Sequence, residues 1–190
     1  GKNVVDRALD AFHRLSGWRP PVATASEAFC AAVADGDVEA LELTIRQAVD
    51  IEYQCPVANG TESALYIASR LGHMDCIEVL LREGAAVNSP EGRSEFPGET
   101  ALHAAAGYGQ TEIAEVLLRA GGNASQGSAN GCNAFHNAAR WGHQKVVKLF
   151  LDEARVDVNC RDASEMTPLF YAAFHGKLEV VKLLLERGAD

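Results

Sequence analysis

Histidine and cysteine are the residues of this sequence with the widest chemistry, and their spacing argues against most of it. Cys30, Cys55, Cys76, Cys132 and Cys160 are scattered, odd in number and form no C-x-x-C pair. Neither a disulfide framework nor a zinc site is indicated, and reduced thiols in an intracellular, cytoplasmic setting are the expectation. The histidines do not build an H-E-x-x-H, and no G-x-S-x-G, P-loop or G-x-G-x-x-G occurs. Gly107-Tyr108-Gly109 is too short a signal for a nucleotide. The sequence therefore assigns no catalytic, cofactor-binding or metal-ligating residue, and no enzyme and no cofactor are expected. What remains is noncovalent chemistry by aromatic rings and guanidinium groups, whose large area and polar edges make them interface anchors.

Those side chains acquire an order only through a repeat. The segment Thr167-Pro168-Leu169-Phe170-Tyr171-Ala172-Ala173-Phe174-His175-Gly176 has imperfect copies at 133–142, 100–109 and 63–72, and a weaker one ending at Gly36. The glycines at 36, 72, 109, 142 and 176 are spaced by 36, 37, 33 and 34 residues. Each copy is followed by a second apolar run, such as Val146-Val147-Lys148-Leu149-Phe150-Leu151, and a trailing turn. A period near 33 with a T-P-L-H-x-A core resembles the ankyrin repeat, a β-turn plus two antiparallel helices. The resemblance covers residues 25–190, in five units at about 25–57, 58–94, 95–127, 128–161 and 162–190. It implies an all-α solenoid of stacked helix-turn-helix units with β-turn or hairpin finger loops.

The resemblance also assigns roles by register. His103 and His136 fall at the Leu-His position, where the imidazole is expected to bond backbone groups of neighbouring turns. His73 and His143 follow the interhelical glycine and are expected to be structural too. Cys30 stands where the family has histidine and Ala28 where it has proline, so the first unit is the most degenerate. Positions the family leaves variable line the concave face. They hold Ala31, Ala34 and Asp35 in the first unit, then Ile67, Arg70 and Leu71, then Ala104, Gly107 and Tyr108. Asn137, Arg140 and Trp141 follow, and finally Tyr171, Phe174 and His175. The partner-binding candidates are therefore Ile67, Arg70, Leu71, Tyr108, Asn137, Arg140, Trp141, Tyr171, Phe174 and His175. The competing reading is that some of these rings pack against a neighbouring inner helix. Asn159, after Asp157-Val158 and downstream of Leu151, resembles a substrate of the asparaginyl hydroxylase that modifies this family; it is equally a turn residue of the repeat.

Outside the repeat core, Val4, Val5, Ala8, Leu9, Phe12 and Leu15 recur at helical spacing before Ser16-Gly17 and Pro20-Pro21. Residues 1–24 thus read as an amphipathic capping helix and linker. Extra residues at 53–59 and 89–97 lengthen two finger loops, as neutral drift or as binding elements. The chain starts without Met and stops inside a turn, so it reads as an excerpt to be followed by more repeats or a cap. A formal charge of −9 disfavours a phosphate backbone or anionic lipid as partner. A protein or peptide partner is expected, with no nucleic acid, no membrane and a monomeric segment. Three roles stay open: an adaptor or scaffold, a regulatory segment acting within a larger protein, and a spacer.

Overall fold

From the second copy on, a polar residue opens a short inner helix, a glycine closes it, and an apolar outer helix runs back. The computed structural model describes residues 22–57, 60–92 and 97–190. The expected capping helix at 4–15 lies outside the described residues, as does part of each finger insertion. Inner helices α1 (Val22–Asp35), α3 (Ala64–Leu71), α5 (Ala101–Gly107), α7 (Ala134–Trp141) and α9 (Pro168–Phe174) alternate with outer helices α2 (Val38–Arg46), α4 (Met74–Arg82), α6 (Thr111–Arg119), α8 (Gln144–Asp152) and α10 (Leu178–Glu186). The first finger carries a hairpin of β1 (Gln54–Val57) and β2 (Gly60–Ser63), with Gln54 opposite Ser63. Successive inner helices pack side by side from α1 to α9. The solenoid is thus the observed architecture.

Helix starts are fixed by side-chain oxygens that take otherwise orphaned N–H groups. Ser63 accepts from Tyr66, Asn133 from Phe135 and His136, and Thr167 from Phe170, with Pro168 at the first helical position. The stop between inner and outer helix is one glycine per unit, at φ between 66° and 87°. At Gly109 there is a second demand, because an added Cβ would lie 2.5 Å from the His143 ring. His143 Nε2 donates to the Gly107 carbonyl at 2.9 Å, and His73 makes the equivalent bond to Ala34 at 3.0 Å. His73 and His143, which follow Gly72 and Gly142, therefore each clasp the preceding unit. The core is a continuous cluster of buried Leu, Ile, Val, Phe and Ala from both helix layers. Phe29, Ala32, Val33, Leu41 and Thr44 are buried as the first unit requires, whereas Leu43 is exposed because it faces outward on α2.

In the first four copies the fourth residue makes the other set of ties, to the finger that follows. His103 Nε2 donates to the Cys132 carbonyl at 3.1 Å and His136 Nε2 to the Met166 carbonyl at 3.2 Å. In the second unit Tyr66 takes the place of histidine, and its hydroxyl donates to Glu99 at 2.8 Å. In the first unit Cys30 is disulfide-bonded to Cys55 of the next finger. This corrects the expectation of five reduced thiols. Cys30 occupies the linking position and Cys55 the finger it reaches, a juxtaposition that linear spacing hides.

Outer turns are linked as well. Glu52 accepts from the Ala86 N–H, Asn88 from Asn123 and Asn159 from Asp190, each one unit further on. Asn159 is therefore engaged in an inter-unit bond like that of Asn88. Glu91, from the 89–97 insertion, is buried and accepts from both the N–H and the hydroxyl of Ser63, so this finger leans back on the start of α3.

With Cys76, Cys132 and Cys160 free, thiol titration of the denatured protein without reductant should find three groups and, after reduction, five. Five before reduction would contradict the Cys30–Cys55 link.

Candidate interaction site on the concave face

Alanine at 104, 105 and 106 makes α5 thin, so α3 and α7 approach it closely and their variable side chains stand around a floor of small residues. The result is a pocket of about 790 Å3 on the concave side of the second, third and fourth units. Ala104 and Gly107 lie at its floor, and Tyr108 and Trp141, 59% and 56% exposed, stand at its mouth. Pro97, Ser128, Ala129 and Asn130 close one side from the fingers. A Cβ on Gly107 would sit 3.8 Å from the Trp141 ring, so any larger side chain there would grow into the cavity.

The polar lining is ordered by one buried carboxylate. Glu99 accepts from the Tyr66 hydroxyl on one oxygen and from the Asn137 amide at 2.8 Å on the other. It therefore joins the second and fourth units through the finger of the third. Arg140 lies over the Trp141 ring at 5.7 Å, a cation–π contact that holds both side chains at the rim. Its Nε is buried without a hydrogen-bond partner.

The expected row is brought together in part. Leu71, Tyr108, Trp141, Phe174 and His175 are exposed along the concave side, Phe174 most of all at 74%. Asn137 and Arg140 are half-buried in the pocket wall. Arg70 is half-buried and paired with Glu62 at 2.9 Å. Ile67 is a correction, because at 4% exposure it belongs to the core between inner helices and cannot reach a partner. Tyr171 is half-buried and tied inward, with its hydroxyl on Asp162 at 2.6 Å and its ring edge-on to His136. Phe174 stacks on Phe170, which is exposed at the fourth position of the last unit. Glu99 and Tyr66 were not singled out by sequence; the tyrosine standing at a histidine position was the available signal.

One constellation has the residue types of a nucleophilic site. The Cys132 sulfur lies 3.5 Å from the Asp162 carboxylate and 3.4 Å from the Tyr171 hydroxyl, within reach of either for its single S–H. Burial pushes that thiol up to about 11, and the Asp162 carboxylate beside it adds to the rise while Tyr171 opposes it. The thiolate is thus disfavoured, opposite to what nucleophilic catalysis needs. The Tyr171 hydroxyl is raised too, by burial and by its bond to Asp162. Burial works against ionised Asp162, yet donation from Tyr171 and from the N–H groups of Met166 and Ser164 holds it below the usual carboxylate range. The trio is a finger tie between the fourth and fifth units. Among the described residues no cluster of three or more His, Cys, Asp or Glu could hold a metal.

A family model described as ankyrin repeats (3 copies) matches residues 29–128 and 118–190. The chain is similar to ankyrin repeat domain-containing protein 29 of Homo sapiens, 45% identical over 58 residues, which are 30% of this chain and 19% of that protein. Its counterpart in Danio rerio is 43% identical over 58 residues, 30% of this chain and 20% of that protein. Alpha-latrocrustotoxin-Lt1a of Latrodectus tredecimguttatus is 40% identical over 53 residues, 28% of this chain and 4% of the toxin. The aligned part spans a fifth or less of each of these relatives.

The two linking histidines generate a pH dependence. Nε2 of His103 and His136 donates to the carbonyls of Cys132 and Met166, and the two Nδ1 atoms pack against Thr100 and Asn133, respectively, at the helix start. Burial lowers both pKa values from the ordinary 6.5. With the folded value depressed, the unfolded chain takes up protons first. The stabilisation is whole above pH about 6.5 and is lost as pH falls from there toward the folded values. The urea midpoint should drop between pH about 7.5 and about 5.5, and drop less in His103→Gln. An equal drop in both proteins would contradict this.

Proposed function

This chain belongs to the ankyrin-repeat family, whose repeats are a generic protein–protein interaction module, and we propose on that premise that it is an adaptor or scaffold segment binding a protein or peptide partner through the concave face and adjoining fingers. The observation that carries the reading is the pair of rings, Tyr108 and Trp141, standing exposed on either side of a pocket with a small-residue floor. Exposed aromatic rings next to a concavity supply the area that interface anchors bury. The groove is built on helices rather than loops, so little ordering opposes association. No covalent step enters, and the binding is stereospecific recognition by a preformed surface. The partner is a polypeptide rather than nucleic acid, given the formal charge of −9. Among the described residues no helix is long and apolar enough to cross a membrane.

The test compares capture of partners from extract by the parent protein with capture by Tyr108→Ala/Trp141→Ala, and by Gly107→Leu, which fills the floor without removing a ring. Circular dichroism checks that each variant is folded. A partner held by the parent and by an outer-face Lys145→Ala/Lys148→Ala control, but about 30-fold more weakly by both groove variants, is the expected result. Equal capture by all four would move the interaction off the concave face.

A further inference from the structure

The pocket contains a positive charge that the protein itself does not neutralise. Arg46, Arg70, Arg82, Arg119, Arg161 and Arg187 each pair with a carboxylate. Among the described residues Arg140 and the exposed Arg155 make no ion pair, and the buried Nε of Arg140 has no hydrogen-bond partner, although the chain carries 26 acidic residues against 17 Lys and Arg. Its guanidinium is held at the rim by the Trp141 ring, half-buried, with all its donors uncommitted. A partner covering the pocket would strip water from this charge, which is strongly unfavourable unless the partner brings an acceptor. The pocket's own carboxylate, Glu99, accepts from Tyr66 and Asn137 and makes no ion pair with Arg140.

The same geometry disfavours a basic ligand. A lysine or arginine approaching the rings would meet Arg140 already lying on Trp141, and would find Glu99 buried behind its two donors. We propose that the pocket recognises an acidic polypeptide segment, with an aspartate or glutamate carboxylate on Arg140 and an adjacent apolar side chain between Tyr108 and Trp141. This deepens the groove reading above and rests on it. A guanidinium accepts a carboxylate through two parallel N–H···O bonds, which gives the contact direction as well as charge. The surrounding negative charge slows acidic ligands, and that repulsion is screened at about 0.15 M salt. Specificity then comes from one local cation in an acidic array.

The test is a selection of displayed random 12-residue peptides on the folded chain at that salt concentration, repeated on Arg140→Gln and Trp141→Ala. Enriched peptides should share an Asp or Glu at a fixed distance from an aromatic or branched apolar residue. The strongest, synthesised with Gln in place of the acidic residue, should bind about tenfold or more weakly, and Arg140→Gln should weaken the parent peptide equally. Peptides that depend on Trp141 but carry a basic residue there, carry no fixed acid, or bind Arg140→Gln unchanged would overturn this proposal and leave the groove reading standing. A phosphoserine replacement that binds better than the acidic parent would also overturn it, assigning Arg140 to phosphate. If no peptide depends on Trp141, both readings fall.

Discussion

A helical hairpin has more apolar surface than it can cover by itself, so every unit of this chain depends on what fastens it to the next. In the first four units the fastening runs from the fourth residue of the repeat copy to the following finger. It is an imidazole-to-carbonyl bond in the third and fourth units, a phenol-to-carboxylate bond in the second and a disulfide in the first. The chemistry varies while the place is constant, which identifies the constraint as geometric. Whatever side chain stands there must span from an inner helix to the next finger and satisfy itself on arrival. Stacking then buries one continuous core across all five units, and the array's stability becomes a sum of unit and neighbour contributions.

The concave pocket is a by-product of the same arrangement. Because Tyr66 reaches a side-chain acid rather than a backbone carbonyl, a carboxylate is held at the base of the third finger, and it recruits Asn137 from the fourth unit. Three units thus converge on Glu99. The thin α5 between them leaves space where neighbouring units carry larger residues, and Tyr108 and Trp141 rise on either side of it. Their positions follow from a rigid frame, so the pocket is preformed, and the rim cation is left for a ligand to neutralise.

The repeat, its helices and the closing glycines were legible in the sequence because they recur in register and each has a local physical cause. The exposure of Leu71, Tyr108, Trp141, Phe174 and His175 was legible for the same reason. Four things were not. Ile67 has the register of a groove residue but lies in the core, since the face of so short a helix is settled by which neighbour is smaller. Tyr171 looked like an anchor and is a tie to Asp162, because only the finger conformation shows what a phenol can reach. The Cys30–Cys55 link and the Glu99 hub join residues 25 and 33 apart in sequence, and neither has a local pattern. The repeat register could have exposed both, since Cys30 and Tyr66 each depart from histidine at the fastening position.

The account stands on that fastening being energetically real, and Tyr66 with Glu99 is where it is most exposed to test. A double-mutant cycle of Tyr66→Phe and Glu99→Gln, followed by urea unfolding at neutral pH, isolates the pair from the separate cost of each change. A coupling of about 1–3 kcal/mol is predicted for a buried hydrogen bond to a charged acceptor. Effects that add to within about 0.5 kcal/mol would mean that the two side chains merely lie side by side, and that something other than the fourth-position link holds the units together.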